Sequence, residues 1–369
     1  MNRVFITLFP FAIILGGCTS NGVNGLIVTH ADSPENITVD VMGDLIDGPQ
    51  LTTSLITKEG GKYLYRARPF ANSVQRINMS SGMSSSISFA KDGPNKVRRI
   101  QSFAVNSKNE LILAADENIM IVDDTDSLKE NFIIYPNNID ISLDGPFIVR
   151  ATHEFPLQTY KDDLIVVLER DDSDKFSFPY HYEGPFLGRL SIRDKKITHL
   201  PIEWPEPTSY YGSLHQPFFT VVEDHVVFGF AYSPIIYLFN LTDDRVIEKG
   251  QLPFNGIKNS PFTGNFDQEE ILMHRAKSVT YGRLKFDKVS RRYSQVVFVP
   301  APPSSPMYGI AQQIGIRYFS EELKILGESV LPLGFFPESY HYNGDLFVRF
   351  QSEKFENRLS FRKITLEND

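Results

Sequence analysis

Apolar and polar positions alternate along this chain in runs of roughly four to eight residues, each closed by Asp, Asn, Ser, Gly or Pro. The pattern is clearest over 216–250, QPFFTVVEDHVVFGFAYSPIIYLFNLTDDRVIEKG. Four runs, Phe218–Val222, Val226–Phe230, Ile235–Leu241 and Arg245–Glu248, are separated by Glu223-Asp224, by Ala231–Pro234 and by Thr242–Asp244. Val, Ile, Phe and Tyr fit a pleated, half-buried surface and the polar clusters supply turns, so the stretch predicts a four-stranded antiparallel meander. One such sheet is marginal alone. It therefore predicts neighbours of the same kind.

The third strand of that unit has counterparts at VQRIN (74–78), IMIVD (119–123), GRLSIR (188–193), GRLKFD (282–287) and NRLSFR (357–362). Centred on Arg76, Met120, Arg189, Tyr237, Arg283 and Arg358, they are spaced by 44, 69, 48, 46 and 75 residues. A four-stranded propeller blade takes about 40–45 residues, so the short steps fit one blade each and the long steps carry insertions or a hidden blade. The expected fold is all-β, a β-propeller of six blades. The hairpin Ile314–Phe319 and Leu323–Leu326 leaves seven open. Ile271–Arg275, Tyr281–Phe286 and Tyr293–Val299 read as strands of the fifth unit, and helical periodicity is nearly absent. Trp204 and APPSSP (301–306) fall in inter-blade loops. Glu35–Met42, ENITVDVM, is expected to close the ring as the outer strand of the last sheet, because closure removes exposed edges.

The N-terminus carries an address. Arg3 precedes the apolar run Val4–Leu15, and Leu15-Gly16-Gly17-Cys18 follows. The run is too short to span a bilayer, so residues 1–17 read as a secretion signal and Cys18 as a lipoprotein processing site. Cys18 is expected to become the lipidated first residue, residues 18–34 a flexible tether, and 35–369 a single propeller domain. The absence of an acid between Cys18 and Asp32 favours, by resemblance to known sorting rules, the outer membrane facing the periplasm. The first expected partner is thus a membrane, reached through the lipid anchor. With one cysteine in the chain, no intramolecular disulfide forms.

A formal net charge of −8 argues against a nucleic-acid partner, since phosphate binding needs clustered Lys and Arg. His153, His181, His199, His215, His225, His274 and His341 are dispersed, with no metal-ligand spacing, and no motif asks for a cofactor. The acidic turns 123–126 and 171–174 lack the glycine and spacing of a calcium loop. No Gly-x-Ser-x-Gly elbow is present.

The lipobox at Cys18, the hairpins YGRLKFDKVSRRY (281–293) and IRYFSEELKILGE (316–328), and NGDLFVRF (343–350) together resemble uncharacterised Bacteroidetes lipoproteins with a TolB-like β-propeller, a domain of unknown function. That resemblance covers the whole mature chain. It implies about six blades, an exported lipid-anchored protein, and no family catalytic residues to carry over.

One duplication stands out. Tyr180-His181-Tyr182-Glu183-Gly184 and Tyr340-His341-Tyr342-Asn343-Gly344 are near-copies, each downstream of a Phe-Pro pair. Tyr and His combine an apolar ring with a hydrogen-bonding tip, which suits a ligand-binding mouth on the propeller axis. The plainer role is packing between blades. The function expected is a binding or scaffolding module with an envelope protein or a glycan as partner. The alternative is a hydrolase or lyase with its site in the channel.

Overall fold

The computed structural model describes residues 27–30, 36–40, 53–58 and 61–367, apart from 69–71, 80, 94–95, 116–117, 124, 135–146, 153, 171–183, 205–208, 265–266 and 352–357. Two N-terminal strands, β1 (Ile27–His30) and β2 (Asn36–Asp40), join the last of six sheets. The first sheet holds β3 (Thr53–Lys58), β4 (Gly61–Arg68), β5 (Ser73–Asn78) and β6 (Ser84–Ser88), and the second β7 (Ile100–Val105), β8 (Leu111–Ala115), β9 (Asn118–Val122) and β10 (Leu128–Ile133). The third holds β11 (Phe147–Arg150), β12 (Gln158–Tyr160), β13 (Asp163–Arg170), β14 (Leu187–Ser191) and β15 (Lys196–His199). The fourth holds β16 (Pro217–Val222), β17 (His225–Phe230), β18 (Ile236–Asn240) and β19 (Val246–Lys249). The fifth holds β20 (Thr280–Asp287), β21 (Arg292–Pro300), β22 (Gln312–Phe319) and β23 (Ile325–Val330), and the sixth β24 (Phe335–Tyr342), β25 (Asp345–Phe350) and β26 (Arg358–Glu367).

The second strands show why the sheets stack into a ring. Successive side chains on a strand point to opposite faces, so a strand covered on both faces reads as a continuous apolar run. In β8, Leu111, Leu113 and Ala115 pack toward the first sheet while Ile112 and Ala114 pack toward the third. In β13, Leu164, Val166 and Leu168 meet the second sheet, and Ile165 and Val167 meet the fourth. In β17, Val226, Phe228 and Phe230 meet the third sheet and Val227 the fifth. A further cluster joins the fifth sheet to the sixth, and Leu64, Ile77, Tyr340, Phe347 and Phe361 join the sixth back to the first. Each gap between neighbouring sheets has its own core, and the ring closes.

The last sheet is completed from both ends of the chain. The ten-residue β26 pairs with β2 over Arg358–Arg362 and with β1 over Ile364–Glu367. The strand expected at 35–42 is therefore β2. Ile27–His30, inside the stretch read as tether, adds a second closing strand.

The expected six blades hold, and two other expectations change. The hairpin at 314–326 forms β22 and the start of β23 in the fifth sheet, so the ring has six blades and not seven. GRLKFD is not a third strand: 280–287 is β20, the innermost strand of its blade, although its sequence mimics the third strands at 188–193 and 357–362. Ile271–Arg275 is not a strand but lies in α1 (Gln268–Lys277). Asp267 caps it by accepting a hydrogen bond from the Glu269 backbone at 2.7 Å, with Glu269 and Glu270 in the first turn and His274, Arg275 and Lys277 in the last. These end charges favour the helix dipole, and the apolar triplet Ile271-Leu272-Met273 masked them.

Candidate functional site

The first strands of the sheets face the propeller axis, and they converge on a cavity of 340 Å³. Phe103–Val105 of β7, Gln158 and Thr159 of β12, Thr220 of β16, Arg283 and Lys285–Asp287 of β20 and Ser339–His341 of β24 form its wall, and Lys62 of β4 brings in the first sheet. A larger hollow of 910 Å³ is built from the fifth blade and its loops, with Pro300, Pro302, Pro303, Leu331 and Pro332 on its wall and Lys277 as its one charged group. Its wall is mostly apolar, with Asn255, Tyr308, Gln313 and Ser329 as its uncharged polar residues, whereas most of the axial wall is polar or charged.

Strand β20 carries the chemistry. Its register against β21 slips between Tyr281 and Leu284, which sends both of those side chains into the core and leaves Arg283 facing the axis. Gly282 sits where a Cβ would lie 2.7 Å from the Val296 carbonyl oxygen, and Gln295 Nε2 donates to the Gly282 carbonyl at 2.8 Å, so the bulge is pinned. Beyond it the two-residue period holds, and Arg283, Lys285 and Asp287 share one face.

The wall holds four cations, Lys62, Arg283, Lys285 and Lys288, against the single carboxylate of Asp287, in a chain whose overall balance is acidic. Arg283 and Lys285 are half-buried and open onto this cavity. Burial lowers Arg283 to about 10. Burial also lowers Lys285 to about 7, the like charge of Arg283 adding to it and Glu338 opposing. Lys285 Nζ donates to both the carbonyl and the hydroxyl of Ser339. Asp287 is committed to its own turn, accepting from Ser290 N at 2.9 Å and Ser290 Oγ at 2.6 Å; burial raises its pKa, but these bonds outweigh it and hold the group below the ordinary carboxylate value.

The sequence candidates are placed as follows. Cys18, Tyr180, His181 and Tyr182 lie outside the described residues. Tyr340, His341 and Tyr342 are on β24, innermost in the sixth blade. Tyr340 touches the cavity wall but its ring packs against Phe347 and Phe361, with centroids at 5.6 and 4.8 Å. His341 is on the wall. Lys62 lies 4.9 Å over the Tyr342 ring. Arg283, Lys285 and Asp287 escape a reading of the sequence because GRLKFD matches the third-strand pattern, where alternation faces a neighbouring blade. The charged side of that strand, R-x-K-x-D, was the available signal.

His341 Nε2 and Ser294 Oγ are 2.8 Å apart, and Asp287 is electrostatically linked to His341, which has the composition of a hydrolase triad. The nucleophile is out of place. Ser294 is 3% exposed on β21, behind the cavity wall, and Asp287 is occupied by Ser290. Ser294 is therefore not placed to attack a ligand in the cavity.

His341 and His215 give the fold a pH dependence. Burial lowers both to about 4; at His341 Asp287 opposes the burial and Lys285 adds to it. His215, at 2% exposure, accepts from the Tyr211 backbone through Nδ1 at 3.0 Å and stacks on Tyr210, so its neutral form is built in. Below the unfolded pKa of about 6.5 the unfolded chain takes up protons that the folded one refuses until about pH 4. Stability should therefore fall between pH 6.5 and 4, by roughly 2–3 kcal/mol per histidine at the acid end. Urea midpoints across that range should show the fall, and His215→Asn should flatten it; a flat profile in the parent chain would contradict the assignment.

Fold and site together define a six-bladed β-propeller with a polar, cation-lined axial cavity. The sequence matches the family described as a domain of unknown function (DUF4221) over residues 32–330, and the chain belongs to that family. The crystal structure of a DUF4221 member from Bacteroides vulgatus is similar with a TM-score of 0.71 at 13% identity, covering 94% of this chain and 99% of that one. A protein of Bacteroides fragilis described as exported is similar with a TM-score of 0.54 at 10% identity, covering 92% and 98%. Comparison with curated proteins gives no match. Among the described residues no helix is long and apolar enough to cross a membrane.

Proposed function

We propose that this propeller is an envelope binding module that takes its ligand in the axial cavity and is held at the outer membrane, facing the periplasm, by lipid on Cys18. The observation that carries the reading is the convergence of all six blades on one cavity, five of them with polar or charged side chains. The surrounding ring is rigid and leaves the wall preorganised, which reduces the entropic cost of binding. Export agrees with the signal-like residues 1–17 and with the description of the Bacteroides fragilis protein.

The test compares full-length protein with Thr220→Trp, which plugs the cavity from β16, and with Cys18→Ala. Native-envelope extracts are passed over each, and retained small molecules, glycans and proteins are identified by mass spectrometry. The parent chain should fractionate with membranes and retain a ligand that Thr220→Trp loses, while Cys18→Ala becomes soluble and keeps it. Equal retention by the plugged variant would remove the cavity from the binding function, and membrane retention of Cys18→Ala would remove the anchor.

A further inference from the structure

We infer that the axial cavity takes a small organic anion whose carboxylate or phosphate group sits between Arg283 and Lys285. The inference rests on the cavity being the binding site. It deepens that reading by naming the ligand's chemistry.

Arg283 and Lys285 stand two residues apart on one face of β20, both on the cavity wall. Among the described residues Arg283 makes no hydrogen bond or ion pair, and Lys285 bonds only to the neutral oxygens of Ser339. The nearby carboxylates are already engaged. Asp287 accepts from Ser290, and both oxygens of Glu338 accept from Arg349 Nη1 at 2.8 Å. Two neighbouring half-buried cations on one wall repel one another, and burial weakens the hydration that would otherwise offset this. Burial shifts both toward their neutral forms, and at Lys285 the Glu338 carboxylate, already bound by Arg349, offsets this only in part.

An anion reverses each of these terms. Charge–charge attraction is stronger in a partly dry cavity than in water, and the guanidinium fork of Arg283 matches two oxygens of a carboxylate or phosphate. Gln158, Thr159, Thr220 and Asn343 offer uncharged hydrogen-bonding groups for the rest of the ligand, so the wall suits a polar organic anion better than a bare ion. A volume of 340 Å³ is at the small end for ligand sites, which suits a monosaccharide-sized molecule and excludes a folded macromolecule.

The experiment is calorimetric titration and thermal unfolding of the full-length protein at low ionic strength. The probes are glucuronate and glucose 6-phosphate, with inorganic phosphate and glucose as controls. At least one organic anion should bind and raise the unfolding midpoint, and the choice between the two separates a carboxylate site from a phosphate site. Glucose should do neither. Arg283→Gln and Lys285→Gln should each weaken binding at least tenfold. Without ligand, both variants should unfold at or above the parent midpoint, because each removes one of two repelling charges. A merely structural role for these cations predicts the opposite, a lower midpoint.

Four results would overturn the inference: no response to either organic anion, an equal response to inorganic phosphate alone, an undiminished response in the double variant, or lower midpoints for both ligand-free variants. If it fails while Thr220→Trp still abolishes retention, the cavity binds a ligand of another kind and the proposed function stands. If Thr220→Trp also retains everything, the cavity has no binding role.

Discussion

Phe186→Ala should lower the unfolding free energy by about 3–5 kcal/mol, the usual range for truncating a fully buried Phe. Phe186 precedes β14 and is 0% exposed in the gap between the third and fourth blades. Its ring centroid lies 5.1 Å from Trp204, 5.5 Å from Phe228 and 5.6 Å from Phe230, in tilted and edge-on geometries that add to area burial. Its backbone is fixed as well, the Phe186 amide donating to Ile202 and its carbonyl accepting from Leu168, so the site has little freedom to collapse around a smaller side chain. Trp204, the only tryptophan, belongs to the affected cluster, and its fluorescence reports the loss directly. The urea midpoint should drop with the slope unchanged. A loss below about 1 kcal/mol would mean that the two blades do not depend on this contact.

Glu338→Gln should cost a similar amount, about 3–5 kcal/mol, through charge and not through volume. Glu338 is 7% exposed, and Arg349 Nη1 donates to both its oxygens at 2.8 Å. Burial raises its pKa above the ordinary carboxylate value, with Arg349, Arg66 and Lys285 pulling the other way. The neutral amide would leave Arg349 enclosed without its counter-charge and withdraw the carboxylate that helps keep Lys285 charged. Glu338→Gln combined with Arg349→Met should recover much of the loss, because the unpaired charge is gone. Equal instability of the single and double variants would show that the pair itself is not the source. Both variants also change the axial field, so ligand titrations should use the parent ring.

Glu338 also illustrates how differently the two halves of the problem could be read. On the chain it follows Phe336-Pro337 as an ordinary polar residue beside an aromatic loop. Its role depends on Arg349, eleven residues away across a hairpin, and on Lys285 in another blade. Tyr340, His341 and Tyr342 share the residue chemistry expected of a ligand-binding mouth, and β24 does bring His341 to the cavity, but the ring of Tyr340 beside it packs into the gap between the sixth and first blades. Residue chemistry alone did not separate these two fates, since both follow from which face of the strand each occupies.

What the sequence by itself determined is local. Runs such as LILAA and DLIVVLER require cover on both faces, Asp and Asn clusters set the hairpins, and the spacing of RLS-like strands specifies a ring of blades with a closing strand from the N-terminus. What only the tertiary structure decided is phase and convergence. GRLKFD and GRLSIR are nearly the same string, yet one is the innermost strand of its blade and the other the third. The difference arises from closure. A strand's two faces are fixed by a period of two residues, whereas which face meets the axis depends on how many strands lie inside it, and that count is set by contacts made far along the chain. The cavity gathers residues from Lys62 to Asn343 in this way, and no window of sequence contains it.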